Sequence, residues 1–512
     1  MSGHWPVLRR REAGVCLHIT SLPGPFGIGE IGRHAAQFID SMCEMQLGVW
    51  QFLPTGPTAY GDSPYQPLST FAGNELLIDV SDLIHKGLLT EREAQALTAL
   101  PREFVDYGAL IPLKSRLLER AAGRFDSVAN AALKSACDEF IERHDRSWLH
   151  DYAVFRVLKS QFGERAWPHW PSRFAHRDAS ALRDFAARHA GSIESIKIIQ
   201  FLFWHQWRKL RDHASDQGVR LFGDMPIYIA LDSSDAWVNR DILRIDDNGQ
   251  PDCVAGVPPD YYSENGQLWG NPLYAWDYHR AHRYDWWIER LRAAAGVLDI
   301  VRIDHFRGFE SYWAIPAGCD TARGGSWEQG PGDEFFEAAR AALGNLPIVA
   351  EDLGMITPEV EALRDRQQVA GMKVLQFAII DERFEIADVP ENCICYTGTH
   401  DNDTTIGWYN GSPHDSRRDA EVERNRQAAL ELTAGTPETI HTDMVRAAFS
   451  SAALLAIAPL QDYLGLGSEA RMNTPGTTEN NWRWRLDASR LTGKICEQVG
   501  NMVQSSGRSP HD

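Results

Sequence analysis

Arg302 and Asp304 stand two residues apart at the end of the apolar run in DIVRIDHFRGFESYWAIP, residues 299–316. In an extended strand such residues point to the same side, so a guanidinium and a carboxylate would meet where the chain turns polar, glycine-containing and aromatic. A fixed positive charge favours the ionised carboxylate, the form a carboxylate nucleophile needs. A structural ion pair at a strand end accounts for the same pattern. Two further acids arrive in the same way: Glu351 in PIVAEDLG and Asp401 in CICYTGTHDND. Each follows a short apolar run and precedes a loop, so three strands would each deliver an acid.

Clustered carboxylates suit either a divalent cation held by hard oxygen ligands or glycosyl transfer. Arg302 beside Asp304 opposes a cation, so no metal and no cofactor is expected. Retaining glycosyl transfer needs one ionised carboxylate and one protonated acid. Asp304 beside Arg302 fits the first role. Glu351, preceded by Pro347, Ile348, Val349 and Ala350, fits the second where desolvation raises its pKa. Asp401 would then hold hydroxyls of the sugar, with His400 as a further donor.

Positioning these acids requires strands. Short apolar or β-branched runs recur at 15–20, 49–54, 220–229, 298–306, 347–353, 372–379, 393–401 and 454–465. Most are apolar throughout, as strands covered on both faces are. Helical patterns lie between several of them, at 35–45, 333–343 and 358–367, the last with Thr357 as N-cap and Pro358 at its first position. Alternation of this kind predicts an α/β fold, a (β/α)8 TIM barrel. The connection between the sixth and seventh runs is too short for a long helix. About 165 residues separate the second run from the third and about 70 the third from the fourth, far beyond ordinary loops. The reading is one catalytic barrel with two insertions: a helical subdomain at 80–190 and a loop-rich segment at 230–297 over the active-site face. The polar tail beyond about 500 is expected to fray.

With 51 basic against 70 acidic residues the formal charge is −19, a field that repels phosphates and anionic headgroups, so neither nucleic acid nor membrane is an expected partner. MSGHWPVLRRREAGV has no apolar segment behind its arginines, and no stretch reaches transmembrane length. The eight scattered cysteines lack metal-ligand spacing, and a cytoplasmic location is expected. Among 17 tryptophans, Trp237, Trp269, Trp276, Trp327 and Trp408 sit beside Gly, Pro or Asn in apparent loops, where exposed rings would suit the C–H faces of sugars.

GIGEIG at 27–32 matches a dinucleotide-binding pattern, but SLPGPF separates it from the preceding strand and the next strand ends in FLPTGP, without the ribose-binding acid. These glycines read as a tight loop into the helix at 35–45. Neither G-x-S-x-G nor H-E-x-x-H occurs.

R-I-D-H at 302–305, E-D-L-G at 351–354, T-H-D-N at 399–402, GDSPYQ at 61–66, GVPPDYYSENGQLWGNP at 256–272 and ARMNTPGT at 470–477 together resemble the 4-α-glucanotransferases of glycoside hydrolase family 77, in the α-amylase superfamily. The likeness runs over essentially the whole chain. It implies a barrel with inserted subdomains and no C-terminal β-sandwich, with Asp304 as nucleophile, Glu351 as acid/base and Asp401 as transition-state stabiliser. It also puts Tyr60, Ser63, Asp260, Trp269, Arg302, His305, His400 and Asn473 around the sugars, with the loops at 256–272 and 465–477 partly enclosing the glucan. The expected substrates are an α-1,4-glucan donor and a glucose or glucan acceptor. An α-glucan hydrolase using the same acids and a non-catalytic starch-binding protein are the alternatives.

Overall fold

The computed structural model describes residues 8–510 except 59, 260–262, 345–346, 382 and 413–416. Its strands are β1 (Glu12–Cys16), β2 (Val49–Gln51), β3 (Arg220–Pro226), β4 (Cys253–Val257), β5 (Gln267–Pro272), β6 (Ile300–Asp304), β7 (Ser311–Pro316), β8 (Ser326–Gln329), β9 (Ile348–Ala350), β10 (Gly371–Val374), β11 (Cys393–Tyr396) and β12 (Leu455–Pro459). Eight of them pair in parallel in the order β10-β11-β12-β1-β2-β3-β6-β9. The ring closes through a parallel bridge between Val349 and Ala370, where the Ala350 N–H donates to the Ala370 carbonyl at 2.8 Å. These eight are the runs expected from sequence, and the (β/α)8 barrel is the fold.

Alternation along each strand divides the core. Cys16, Val49, Phe222, Ile300, Val349, Met372, Ile394 and Leu455 form one buried cluster inside the ring. Neighbours of opposite parity, such as Val15, Trp50, Leu221, Val301 and Ala350, join the larger cluster beneath the helices. Helix Arg33–Glu44 shows why these segments coil: Ala35, Phe38, Ile39 and Met42 recur at three- and four-residue spacing and are buried, while the other faces are polar. Among its described residues the link from β10 to β11 holds the short helix Leu375–Ala378 and a single turn, Ile386–Asp388.

Between β2 and β3 the chain is helical, ending in the 27-residue helix Ala190–Asp216 that leads into β3. The next connection carries β4 and β5, and the segment after β6 carries β7 and β8. Together they form an antiparallel sheet in the order β5-β4-β7-β8, so the two connections flanking β6 are stitched into one wall.

Two expectations fail here. The tail does not fray up to residue 510: Gly493–Ser505 is helical, and Arg508, at 0% exposure, donates to the carbonyls of Glu12, Phe449 and Ser451. Phe449 and Ser451 close helix Ile440–Ser450 and Glu12 opens β1, so this arginine satisfies carbonyls left over at a helix end and at a strand start. The five tryptophans do not lie in loops either. Trp237, Trp276 and Trp408 are buried on short helices, and Trp269 and Trp327 stand on β5 and β8. Adjacent Gly, Pro and Asn here mark helix and strand ends rather than exposed loops.

The glycines of GIGEIG serve close packing. A side-chain carbon at Gly29 would meet the Ile19 carbonyl at 1.9 Å, and one at Gly32 would meet the Asp79 carboxylate at 1.7 Å.

Candidate active site

Strand parity and register assemble the site. Ile300 belongs to the barrel interior, so Arg302 and Asp304 share its inward side, and Arg302 bonds Asp304 at 3.0 Å. Parallel pairing of β3 with β6 sets Asp224 directly opposite Arg302, and the two carboxylates share the one guanidinium, which is 5% exposed. Asp224 went unnoticed in the sequence because RLFGDMPIYI reads as a strand to residue 229, placing the acid in mid-strand. The strand ends at Pro226, and Asp224 lies near its C-terminal end like the other acids.

Parity also separates Glu351 from Asp352. Val349 points inward, and Glu351 follows it into the cleft, accepting from the His305 N–H at 2.7 Å and the Leu353 N–H at 3.0 Å. Asp352 turns outward to Arg364 at 2.5 Å and the Met372 N–H at 2.7 Å. His305 holds a left-handed backbone, φ 55°, which swings its N–H toward Glu351.

β11 ends at Tyr396 rather than running on to 401, and in the turn five residues beyond it Asp401 accepts from the Asn473 side chain at 2.6 Å, while Arg471 donates to its carbonyl at 2.8 Å. His400 lies 3.4 Å from the Asp401 carboxylate and stacks on Tyr65, centroids 5.3 Å apart and rings within 11°. Tyr65 donates to Asp224 at 2.6 Å, so the 2.8 Å contact between His400 Nε2 and the phenol oxygen assigns that ring proton to His400. Tyr65 was also missed: it lies in GDSPYQ, but its partners are 159 and 335 residues away, beyond any local pattern.

The other expected residues fall as follows. Ser63 Oγ accepts from the Tyr65 N–H at 3.3 Å and shapes the turn presenting that ring. Trp269 stands edge-on to His305 at 4.8 Å. Tyr60 begins the turn Tyr60–Asp62. Asp260 lies outside the described residues.

Charge is unevenly matched in this cleft. Burial raises the Asp304 carboxyl well above the ordinary range; Arg302 opposes the rise, while Asp224, Glu351 and Asp401 add to it. Arg302 therefore offsets only part of the rise, because burial is the larger effect and Asp224 takes part of the guanidinium. The Asp304 side chain retains 30% exposure, and water in the cleft relieves some of that desolvation. Burial raises Glu351 as well, against Arg302 and the two backbone donors. His305 is depressed to about 3 by burial, so its ring is neutral at pH 7. His400 is also lowered by burial, with Asp401 opposing. Among the described residues no group of three or more His, Cys, Asp or Glu is arranged to hold a metal ion, and no helix is long and apolar enough to cross a membrane.

Known proteins share this framework. The profile of glycoside hydrolase family 77, described as 4-alpha-glucanotransferase, matches residues 17–491. A 4-alpha-glucanotransferase of Streptococcus pneumoniae is 43% identical, covering 96% of each chain. That of Thermus thermophilus is 43% identical over 97% of this chain and 99% of its own. The solved structure of an amylomaltase from Streptococcus agalactiae in complex with acarbose superposes with a TM-score of 0.92 at 35% identity, covering 98% of this chain and all of that one. With barrel, acid-bearing strand ends and near full-length identity in agreement, the chain belongs to the 4-alpha-glucanotransferases of glycoside hydrolase family 77.

Proposed function

We propose that the chain transfers a segment of an α-1,4-glucan to the 4-OH of glucose or another glucan by a retaining double displacement. The observation that carries this reading is the register of β3, β6 and β9, which brings Asp224, Arg302, Asp304 and Glu351 to one end of the barrel. Two coupled carboxyls in one site share a proton. Asp304 bonds the guanidinium directly and Glu351 does not, and on this reading Glu351 is the partner that carries the proton.

In the first step an Asp304 oxygen attacks the anomeric carbon, the C1–O4 bond breaks, and Glu351 protonates the departing O4. In the second, the acceptor 4-OH gives its proton to Glu351 and its oxygen to C1, releasing Asp304. Asp401, oriented by Asn473 and beside His400, faces the hydroxyls of the distorted sugar. Ser63, Tyr65, Trp269 and His305 line the same cleft, and Tyr60 and Asp260 are assigned to it through the family motif. The reaction belongs in the cytoplasm, a setting that suits eight free cysteines.

Water at about 55 M competes for the glycosyl group on Asp304, so transfer requires a positioned acceptor and restrained water. Incubation with maltotriose should yield glucose and longer maltodextrins while total reducing ends stay almost constant. Steadily rising reducing ends without longer products would make the protein a hydrolase. Binding without turnover would make it a starch-binding protein.

A further inference from the structure

Trp327 remains 40% exposed although it sits in a sheet and is tightly braced. Its cross-strand partner Trp313 stands edge-on with centroids 5.2 Å apart, and the Arg307 guanidinium covers its ring at 4.0 Å. Arg307 is itself buried, three residues beyond Asp304. It donates to the Met355 carbonyl, four residues beyond Glu351, and to Ser311 Oγ at 3.2 Å. One guanidinium thus ties the indole to both acid-bearing segments, and Met355 beside it is 49% exposed. Polar groups adjoin the ring: Ser311 Oγ donates to the Glu310 carboxylate at 2.5 Å, and Gln329 donates to the Glu310 carbonyl at 2.9 Å.

From this geometry we infer that Trp327 is an outlying glucosyl subsite, taking a sugar ring of the acceptor beyond the one that meets Glu351. The inference rests on the assignment of Glu351 as the acid: leaving group and acceptor occupy the side of the cleft where Glu351 stands, and Trp327 is joined to the segment following it. An amphipathic indole presents an apolar face to the C–H face of a sugar while neighbouring polar groups meet its hydroxyls. Because Arg307 and Trp313 already hold the ring, little ordering entropy remains to be lost on binding.

The test uses α-maltotriosyl fluoride as donor and either glucose or maltotetraose as acceptor, with the full-length enzyme. Trp327→Ala should lower kcat/KM for maltotetraose about tenfold, mainly through KM, as expected for removing an aromatic anchor. The glucose value should hold, and Trp327→Tyr should recover most of the loss. Should the alanine variant fold poorly, Trp327→Leu carries the same comparison. Equal losses with both acceptors, or none with maltotetraose, would overturn the subsite while leaving the transfer reaction intact. Failure of the unmodified enzyme to transfer to either acceptor would instead overturn the underlying reading, and the subsite with it.

Discussion

Two buried charge clusters in this chain differ in how their charges are matched. Lys114, on helix Tyr107–Val128, pairs with Glu30 of the GIGEIG loop, at 0% and 5% side-chain exposure. That pair is one cation to one carboxylate, with the Val80 N–H as a further donor at 3.4 Å. Around Arg302, four carboxyl groups, Asp224, Asp304, Glu351 and Asp401, act on one guanidinium or on each other. Both clusters are desolvated, yet only the second holds surplus negative charge and opens to the cleft. Matched burial fixes an insertion against the barrel; unmatched burial keeps a proton available for transfer.

Breaking the unmatched cluster should have the largest effect. Asp304→Asn leaves an amide that cannot attack the anomeric carbon, and transfer should fall at least about 10³-fold with the fold retained, read by single-turnover kinetics and circular dichroism. A folded variant with substantial turnover would remove Asp304 as nucleophile.

Glu351→Gln should lower transfer from maltodextrins by about 10² to 10⁴-fold, but far less from a glycosyl fluoride, whose leaving group needs no proton. For the unmodified enzyme, kcat/KM with maltotriose should fall as pH rises through the raised pKa of the coupled pair, because the protonated form is the active one. The variant assayed with the fluoride should lose that alkaline limb. Equal impairment with both donors would reject Glu351 as the acid.

In the matched cluster the loss is one of stability. Lys114→Met strands Glu30 and should cost about 3 kcal/mol in denaturant unfolding, with kcat of the folded enzyme unchanged. Burial, opposed by Lys114, lifts Glu30 from 4.5 to about 7. A raised folded pKa contributes stability below the unfolded value that is lost as pH rises through the folded one, here between about 4.5 and 7. The variant's deficit should therefore shrink toward acid pH, and adding Glu30→Gln should restore most of it. A deficit independent of pH would show that Lys114 contributes by packing alone.

The eight barrel strands were legible because strands buried on both faces must be apolar, and the acids at or shortly beyond three of their ends broke that rule visibly. Asp224 was not, since the apolar residues after Pro226 hid the end of its strand. Nor was the wall of β4, β5, β7 and β8, in which Cys253 pairs with Pro316. Pairing across such a separation leaves no periodic trace in either segment.

Pairing of β1 with β12 sets an order of events. Glu12 pairs with Leu455, Tyr463 donates to the Gly14 carbonyl at 2.9 Å and Arg508 to that of Glu12 at 3.1 Å, so the seam joins the two extremes of the chain. Local helices form early, whereas a contact of this sequence separation waits on loop closure over nearly the whole polypeptide. Asp401 and Asn473 lie within the last part of the chain needed for that seam, so catalytic competence arrives as a late, single event. On refolding from denaturant, activity should lag behind the far-ultraviolet helical signal, and simultaneous recovery of the two would show that the seam forms early.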